Sequence, residues 1–492
     1  MPRSLPAGLA VLAAVVAFAA PARGQSLPAP LEQALNAWYQ ETAARTAPGM
    51  WGIAIGTMDG RVLWSAAPEA TLIPASTAKV FTTGFARTRV GSDARAITRV
   101  VARGRVDPAT GTWLGDWRLD LGGDPTLERA GRAGPMLRDL ADQLAAQGVR
   151  RLTGPLVVSS PHGTTAARYP ATWSERYTGK LYAPPVGPIT LHENIISVMV
   201  RPGVPGQPAA LSYVLPAGIE SLIDNQAVTV PGSRTRLSFR PTADGRWTLA
   251  GTIGARSRGA GFSDVAHDPG AVLGAVWQSA LAQAGIAWDR RAPATTAPPH
   301  SRAAGVLALV ASPPFDSIAS EVNRRSLNIG AELMLEWGAG SRTRGPALLT
   351  DHVRRVVGPF ARVELVDGSG LSELNRVSPL TMMLYLARLP QVPEGRNFPM
   401  LLPANGTGTL RHLRGSLGSG VVHAKTGTLD NVATLAGYLG RPDGVLVVSL
   451  MYNGPRTGAA RRAQWELFRL LGADGVSVPT ALVTQMGGSE GR

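Results

Sequence analysis

The chain has 492 residues, 44% of them apolar and 17% charged, which is the profile of a globular protein rather than a disordered one. Cysteine is absent, which excludes a thiol nucleophile, a disulfide framework and thiolate metal sites. The net charge is +15, but the basic residues are scattered in pairs without a basic run, so they argue against nucleic-acid binding and fit a weak attraction to an anionic membrane or cell-wall polymer.

The N-terminus has the three parts of a secretory signal peptide. Arg3 precedes the apolar stretch 8–20, and small residues follow at Ala20-Pro21-Ala22. The apolar stretch is short for a transmembrane helix, and an uncleaved anchor is the alternative interpretation. We therefore predict that residues 1–25 are a signal peptide and that the protein is exported to the periplasm or outside the cell.

The segment after the signal peptide is predicted to form a helix, a hairpin and a second helix. Apolar residues recur at helical spacing over residues 30–45. Two apolar segments then flank Asp59-Gly60, which is typical of a hairpin turn. Pro74 opens a helical run over residues 75–85.

The pattern changes over residues 91–299, where short alternating segments are separated by glycine and proline turns. This region is predicted to be mostly β, and its proline-rich end, 292–299, to be a linker. Beyond residue 303 the helical pattern returns, notably over 318–337 and 379–389.

The C-terminal part of the chain is predicted to contain a hairpin and a last helix. Apolar runs on either side of residues 440–444 indicate the hairpin, and residues 459–471 have helical spacing. The tail, 481–492, is predicted to lie outside the folded domain.

Lysine is rare in this chain, with only Lys79, Lys180 and Lys425 among 49 basic residues. A lysine amine can be tuned to lose its proton near neutral pH, whereas an arginine side chain cannot. Lys79 and Lys425 lie in short chemical motifs. Lys180 has no motif around it and is predicted to be a surface charge.

Three short motifs follow one another along the chain. They are Ser76-Thr77-Ala78-Lys79, Ser326-Leu327-Asn328 and Lys425-Thr426-Gly427. Their patterns are the S-x-x-K, S-x-N and K-T-G elements of serine enzymes that act on β-lactams and cell-wall peptides. The S-x-x-K pattern alone is a weak signal and K-T-G alone a modest one, but the three in this order indicate an active site.

The first motif pairs a hydroxyl with an amine. Positions three apart share one face of a helix, so Ser76 is predicted to lie beside Lys79. Ser76 becomes a nucleophile if Lys79 takes its proton, which requires a neutral amine. Burial and a nearby cation, which Lys425 can supply, both lower the pKa of an amine.

The second motif supplies a hydroxyl and an amide. Ser326 can both donate and accept a proton, which suits a relay to a leaving amine. Asn328 can position Lys79 and the backbone of a substrate.

The third motif is predicted to lie on an edge strand along which an extended peptide can pair. Lys425 with the hydroxyls of Thr426 and Thr428 can hold a substrate carboxylate, and Gly427 leaves room for its approach. The backbone N–H groups of Ser76 and Thr428 are predicted to form an oxyanion hole.

The sequence around these motifs resembles the class C low-molecular-mass penicillin-binding proteins, which are serine D-alanyl-D-alanine carboxypeptidases and endopeptidases. The stretches that carry the resemblance are 73–83, 121–127, 182–185 with Asn194, 367–372 and 423–429. The resemblance implies an acyl-enzyme on Ser76, formed with peptidoglycan stem peptides and with β-lactam antibiotics as covalent ligands. It implies no metal and no organic cofactor, and it leaves a homodimer open.

The resemblance also implies an α/β (α+β) fold in which helices pack on an antiparallel sheet. This penicillin-recognising domain would consist of residues 26–90 and 300–480. The region 91–299 would be an insertion of one or two mostly β subdomains. Two segments, 159–162 and 185–188, depart from the family pattern, so recognition of the third stem-peptide residue is left open.

Two other functions remain alternatives. A β-lactamase or esterase would share the fold, but the long insertion favours a polymer substrate. A silent cell-wall-binding scaffold is disfavoured because Ser76, Lys79 and Lys425 are all present. His423 is a candidate for the rim of the site, because it lies two positions before Lys425 on the predicted strand. Asp124 and Asp367 are predicted to make turn hydrogen bonds.

Overall fold

The structure, a computed structural model, describes residues 27–129, 131, 134–163, 165–290, 295–296 and 305–480. The predicted signal peptide, the C-terminal tail and most of the predicted linker lie outside the described residues. Within these ranges, no helix is both long and apolar enough to cross a membrane.

The α-helices and strands of the described residues alternate irregularly along the chain. The helices are α1 Ala29–Thr46, α2 Lys79–Val90, α3 Leu137–Ala146, α4 Pro269–Gln283, α5 Phe315–Arg325, α6 Asn328–Ala339, α7 Gly345–Val357, α8 Pro379–Arg388 and α9 Thr457–Leu471. The strands are β1 Met50–Thr57, β2 Val62–Ala66, β3 Ile97–Val106, β4 Trp113–Leu121, β5 Arg151–Thr153, β6 Val157–Ser159, β7 Ile195–Arg201, β8 Ala210–Leu215, β9 Ile223–Val230, β10 Arg236–Pro241, β11 Trp247–Gly254, β12 Ala260–Val265, β13 Ala287–Asp289, β14 Thr295–Thr296, β15 Gly305–Ala311, β16 Val363–Glu364, β17 Arg376–Val377, β18 Val422–Leu429, β19 Val432–Arg441 and β20 Gly444–Asn453.

A five-stranded antiparallel sheet in the order β18-β19-β20-β1-β2 joins the two ends of the chain. Helices α1 and α9 cover one face, where Leu35 packs with Trp51 and Phe468. Helices α2 and α8 lie on the opposite face, where Phe81 packs edge-on against Tyr385. Covering both faces with apolar helix surfaces buries the core of the domain. The predicted fold class, with helices on an antiparallel sheet, is confirmed.

The chain between α2 and α5 forms separate sheets, which confirms the predicted β-rich insertion. Their strand orders are β14-β6-β4-β3-β15, β12-β7-β8, β10-β11-β9 and β13-β5. The insertion also contains α3 and α4, which the sequence analysis did not predict. Asp268 caps α4 by accepting a hydrogen bond from the Ala271 N–H at 3.0 Å, and Pro269 occupies its first turn.

The last strand of the insertion comes from beyond residue 300. Strand β15 pairs antiparallel with β3, so the chain completes this sheet before it returns to the five-stranded one. Within the predicted linker, Thr295–Thr296 pairs with β6 as β14.

Two predicted helices differ from the structure next to the motifs. The predicted helix 75–85 begins as a 3₁₀ helix, Ala75–Ala78, before α2 starts at Lys79. The predicted helix 318–337 is two helices, α5 and α6, because Ser326 adopts a left-handed conformation at φ 60° and ψ 43°. A left-handed residue ends a helix because the chain can no longer form the next i to i−4 hydrogen bond. Both irregularities lie at a motif serine.

Candidate active site

The 3₁₀ turn brings the first two motif residues together. Residues three apart lie in line in a 3₁₀ helix, so Lys79 lies directly above Ser76. The distance from Lys79 Nζ to Ser76 Oγ is 3.0 Å. The turn is held by Thr434, whose hydroxyl donates to the Pro74 carbonyl at 2.7 Å.

The Lys79 amine is fully buried and faces two carbonyl-type oxygens besides Ser76. It donates to Asn328 Oδ1 and to the Ser369 carbonyl, both at 2.6 Å. A neutral amine has two N–H groups and one lone pair, so these two acceptors leave the lone pair for the Ser76 hydroxyl. Asn328 cannot turn its NH₂ toward Lys79 without losing a bond, because that group donates to the Tyr182 carbonyl at 2.8 Å.

Burial favours the neutral form of this amine. Desolvation lowers the pKa of Lys79 to about 7, although the negative charges of Asp367 and Glu332 act in the opposite direction. The pKa of Glu332 is raised to about 7 by its own desolvation and by Asp367, which weakens its opposing effect. The surroundings of Lys79 therefore suit a base that works near neutral pH.

The second and third motifs meet across the cleft. The buried Lys425 amine donates to Ser326 Oγ at 3.0 Å and to the Thr426 carbonyl at 2.7 Å. Desolvation, Lys79 and Arg461 together hold the pKa of Lys425 well below its usual value. The charge of Lys79 thus disfavours the protonated form of Lys425.

The K-T-G segment lies on β18, an edge strand, as predicted. Gly427 passes so close to the 3₁₀ turn that a Cβ atom there would overlap Thr434 Oγ1 and lie 2.9 Å from the Ser76 nitrogen. The edge of β18 therefore runs past the backbone N–H of Ser76. This proximity is what the predicted oxyanion hole requires, although the assignment of its donors stays a prediction.

Arg461 on α9 supports β18 from behind, a contact that the sequence analysis missed. Its guanidinium donates to the Gly427 carbonyl, to Thr428 Oγ1 at 2.9 Å and to the Thr434 carbonyl at 2.7 Å. Desolvation lowers the pKa of Arg461 to about 10, so it keeps its charge at neutral pH. Arg461 lies in no recognisable motif, so no local pattern could have predicted its contacts with β18.

A glycine-rich loop positions the Ser369 carbonyl that faces Lys79. The carboxylate of Asp367 accepts from the backbone N–H groups of Gly370 and Ser372 at 2.8 and 2.7 Å and from the Trp173 indole at 3.0 Å. The predicted turn role of Asp367 is thereby confirmed, with an additional link to the insertion. Glu332 accepts the Ser369 N–H at 2.8 Å, a role that the sequence analysis also missed.

An ion-pair network joins the insertion to the serine of the second motif. Glu193 accepts from Arg129 and from Arg325 at 2.9 Å each, and Arg129 also pairs with Glu321 at 2.9 Å. Arg325 directly precedes the left-handed Ser326. Glu193 has a left-handed backbone conformation at φ 61°, as do both of its neighbours. The network thus fixes the turn that presents Ser326.

Replacing Glu193 with glutamine is expected to lower the free energy of unfolding by about 2 kcal/mol and to slow acylation of Ser76. The reason is that the buried Arg129 guanidinium and the more exposed Arg325 guanidinium lose their shared carboxylate. Urea unfolding and the rate of labelling by a fluorescent penicillin measure the two effects. Glu69→Gln is the control, because its pair with Arg362 is exposed and should contribute under about 1 kcal/mol. Equal effects of the two substitutions would contradict a positioning role.

The remaining candidates lie away from this chemistry. His423 Nδ1 lies 3.3 Å from the Leu402 carbonyl, to which it can donate a hydrogen bond. The predicted place of His423 at the rim stays a prediction. Asp124 accepts from the backbone and hydroxyl of Thr126 at 2.7 Å each, which confirms its turn role. Lys180 is exposed, as predicted.

The fold and this site define an active-site serine enzyme of the penicillin-recognising class. The predicted helices on an antiparallel sheet frame the cleft, and a serine–lysine pair lies opposite a second serine–lysine pair. A model of the D-Ala-D-Ala carboxypeptidase 3 (S13) family matches residues 31–471. The chain belongs to this family and is a serine-type D-alanyl-D-alanine carboxypeptidase, which confirms the predicted family and class of enzyme.

The chain is similar to known proteins in sequence and in fold. A D-alanyl-D-alanine carboxypeptidase of Actinomadura sp. (strain R39) is 28% identical over 422 residues, 82% of this chain and 77% of that protein. The crystal structure of penicillin binding protein 4 (dacB) from Haemophilus influenzae has a TM-score of 0.69 at 21% identity and covers 87% of this chain and 99% of its own. The predatory endopeptidase Bd0816 from Bdellovibrio bacteriovorus, in complex with an immunity protein, has a TM-score of 0.51 at 15% identity and covers 88% and 98%.

Proposed function

We propose that Ser76 is the nucleophile and Lys79 the general base of a reaction that cleaves D-Ala-D-Ala-type peptides of peptidoglycan. The observation that carries this proposal is the pattern of contacts at Lys79 Nζ. Two oxygens accept its N–H groups, and the third direction points to Ser76 Oγ at 3.0 Å. The lowered pKa of Lys79, about 7, supports the same role.

Acylation begins when the Ser76 hydroxyl proton moves to Lys79 Nζ and Oγ bonds to the carbonyl carbon of the scissile peptide. The carbonyl electron pair moves to its oxygen, which the N–H groups of Ser76 and Thr428 stabilise. When the carbonyl reforms, the C–N bond breaks. The proton collected by Lys79 passes by way of the Ser326 hydroxyl to the leaving nitrogen, so that Lys79 is neutral again.

Hydrolysis of the acyl-enzyme repeats these steps with water. Lys79 takes a proton from the attacking water, the Oγ–C bond breaks, and Ser76 recovers its proton. The leaving group in the first half is D-alanine for a carboxypeptidase or a cross-link amine for an endopeptidase. Both use the same residues, because the enzyme acts on the shared D-alanyl carbonyl.

Lys425, Thr426 and Thr428 are proposed to hold the terminal carboxylate of the substrate, with Gly427 giving it room. The lowered pKa of Lys425 fits this role, because an arriving carboxylate stabilises its protonated form and offsets the desolvation that lowers its pKa. Asn328 holds Lys79 in place. β-Lactam antibiotics, which are bound by a solved relative from Haemophilus influenzae, are proposed to acylate Ser76 as well.

We also propose that residues 1–25 direct export to the periplasm or outside the cell. Residues 26–90 and 300–480 are proposed as the peptidase domain, 91–299 as its insertion and 481–492 as a tail. The strand pairing supports the division itself, because β1 and β2 join β18 to β20, whereas β3 to β13 pair among themselves and with β14. Strand β15, Gly305–Ala311, pairs with β3 of the insertion, so the insertion extends past the predicted boundary at residue 299 to Ala311. A homodimer stays a prediction.

Labelling with a fluorescent penicillin followed by tryptic mass mapping tests the proposed function. The label is expected on the peptide 62–79, which contains Ser76, and not on 326–342, which contains Ser326. D-Alanine release from a stem pentapeptide should accompany it. Faster turnover of a chromogenic lactam than of the peptide would instead identify a β-lactamase. No label and no release, with binding to peptidoglycan retained, would identify a scaffold.

A further inference from the structure

Three connections of the insertion meet at one end of its two three-stranded sheets. The turn 231–235 follows β9, the connection 255–259 follows β11, and the loop 202–207 follows β7. The Arg256 N–H donates to the Gly232 carbonyl at 2.9 Å, and the Gly206 N–H donates to the Thr229 carbonyl at 2.8 Å. We call these three connections, with the adjoining ends of their strands, the distal tip.

The distal tip carries five exposed arginines. They are Arg201, Arg234, Arg236, Arg256 and Arg258. None of them forms an ion pair with any residue that the structure describes. Strand register keeps Arg201 close to Arg258, because Val200 is paired with Ala260. Five unpaired guanidinium groups on three adjoining connections make a concentrated positive patch rather than a scattered one.

The acidic residues of these sheets lie at the other end. Asp224 stands at the start of β9, Asp244 in the turn before β11, and Asp264 near the end of β12, where it is paired with Ile196. Each strand residue advances the chain by about 3.3 Å, so Asp264 lies on the order of 13 Å along the strand from Ala260. The subdomain is therefore polarised, with its carboxylates away from the distal tip.

The distal tip also exposes an aliphatic side chain. Val204 is 69% exposed in the sequence Pro-Gly-Val-Pro-Gly, three positions after Arg201 in the chain. A soluble polyanion could neutralise the arginines but would offer nothing to cover Val204. An anionic bilayer offers both, because headgroup phosphates pair with arginine and the acyl boundary accepts an aliphatic side chain.

We propose that the distal tip docks on an anionic phospholipid surface. The arginines contact headgroup phosphates, and Val204 enters the interface between headgroups and acyl chains. The net charge of the chain predicts a weak attraction to anionic membranes, and this proposal assigns that attraction to the distal tip. It rests on the proposed export, because an exported chain meets a lipid surface, but it does not depend on the chemistry at Ser76.

Vesicle co-sedimentation of the full chain tests this proposal. Vesicles with about one third phosphatidylglycerol in phosphatidylcholine are compared with pure phosphatidylcholine at about 0.1 M salt. The variant R201Q/R234Q/R236Q/R256Q/R258Q is expected to lower partitioning onto the anionic vesicles by at least about tenfold. Val204→Ser should lower it by a smaller factor of about three.

The matched control removes the same charge elsewhere. It carries R103Q/R105Q/R344Q/R396Q/R469Q, all exposed arginines outside the distal tip, and it should keep most of the binding. An equal loss in this control, or full binding by the tip variant, would overturn the proposal. So would binding to soluble polyglutamate as tight as to vesicles with no effect of Val204→Ser. Fluorescent-penicillin labelling of each variant reports the active site separately, so a failure of docking is distinguishable from a failure of the proposed catalysis.

Discussion

Replacing Lys79 with glutamine is expected to abolish acylation of Ser76 while the protein stays folded. Glutamine keeps a polar N–H donor on the side of Asn328 and the Ser369 carbonyl, although it is one atom shorter than lysine, and its amide cannot take the Ser76 proton. Loss of a general base that activates a nucleophile costs at least about 10³-fold in rate. The measurement is the second-order rate of labelling by a fluorescent penicillin, with circular dichroism as the test of folding.

Two further variants distinguish proton transfer to Lys79 from a purely electrostatic effect of its positive charge. Lys79→Arg keeps a cation that cannot be deprotonated, so it should be as inactive as glutamine if Lys79 acts as a base. Lys180→Gln is the matched control, because Lys180 is exposed and outside the motifs, and it should label at the wild-type rate. Activity in Lys79→Arg would contradict the proposed proton transfer and favour a purely electrostatic role.

The pH dependence of the labelling rate of the wild-type protein is an independent test of the role of Lys79. The acylating form is the one with neutral Lys79, and the pKa of Lys79 is about 7 because of its desolvation. The labelling rate should therefore rise with pH through about 7 and level off above it. A rate that falls as pH rises through this range would mean that the protonated amine is the active form.

The motif residues could be predicted from the sequence because the chemistry restricts which side chains can serve. Ser76 lies three positions before Lys79, so one helical turn is enough to bring the hydroxyl next to the amine. The apolar runs after the K-T-G segment predicted neighbouring strands, and therefore a place for this segment at the edge of a sheet. The arrangement of Ser76, Lys79, Ser326 and Lys425 around one cleft follows that expectation.

What the sequence could not show depends on contacts between distant parts of the chain. The left-handed conformation of Ser326 has no local marker such as glycine, and it is supported by Glu193, which lies 132 positions from Arg325. Arg461 and Glu332 likewise act mainly through backbone groups, which every residue type presents, so the residue types at their partners gave no signal. The helix α4 was different, because Asp268-Pro269 is a cap signal that the β-rich surroundings obscured.

Gly370 is expected to be the glycine of the Asp367 loop that tolerates substitution least. Its φ of +75° lies in the left-handed region, and a Cβ atom would overlap the Ala75 carbonyl oxygen and lie 3.0 Å from the Ala78 side chain. Both neighbours belong to the 3₁₀ turn of Ser76. Gly370→Ala must therefore push the loop away from that turn, and with it the Ser369 carbonyl that orients Lys79.

We expect Gly370→Ala to lower the free energy of unfolding by about 3 kcal/mol or more and to slow labelling at least about tenfold. Gly148→Ala is the matched control, because Gly148 has a φ of +85° but nothing within 4 Å of its Cβ position. The control pays only the conformational cost of about 1–2 kcal/mol, and its labelling rate should not change. Urea unfolding of both variants measures the difference. If the two lose equal stability and label equally fast, the loop does not depend on close contact with the turn, and the geometry at Lys79 is set by Asn328 alone.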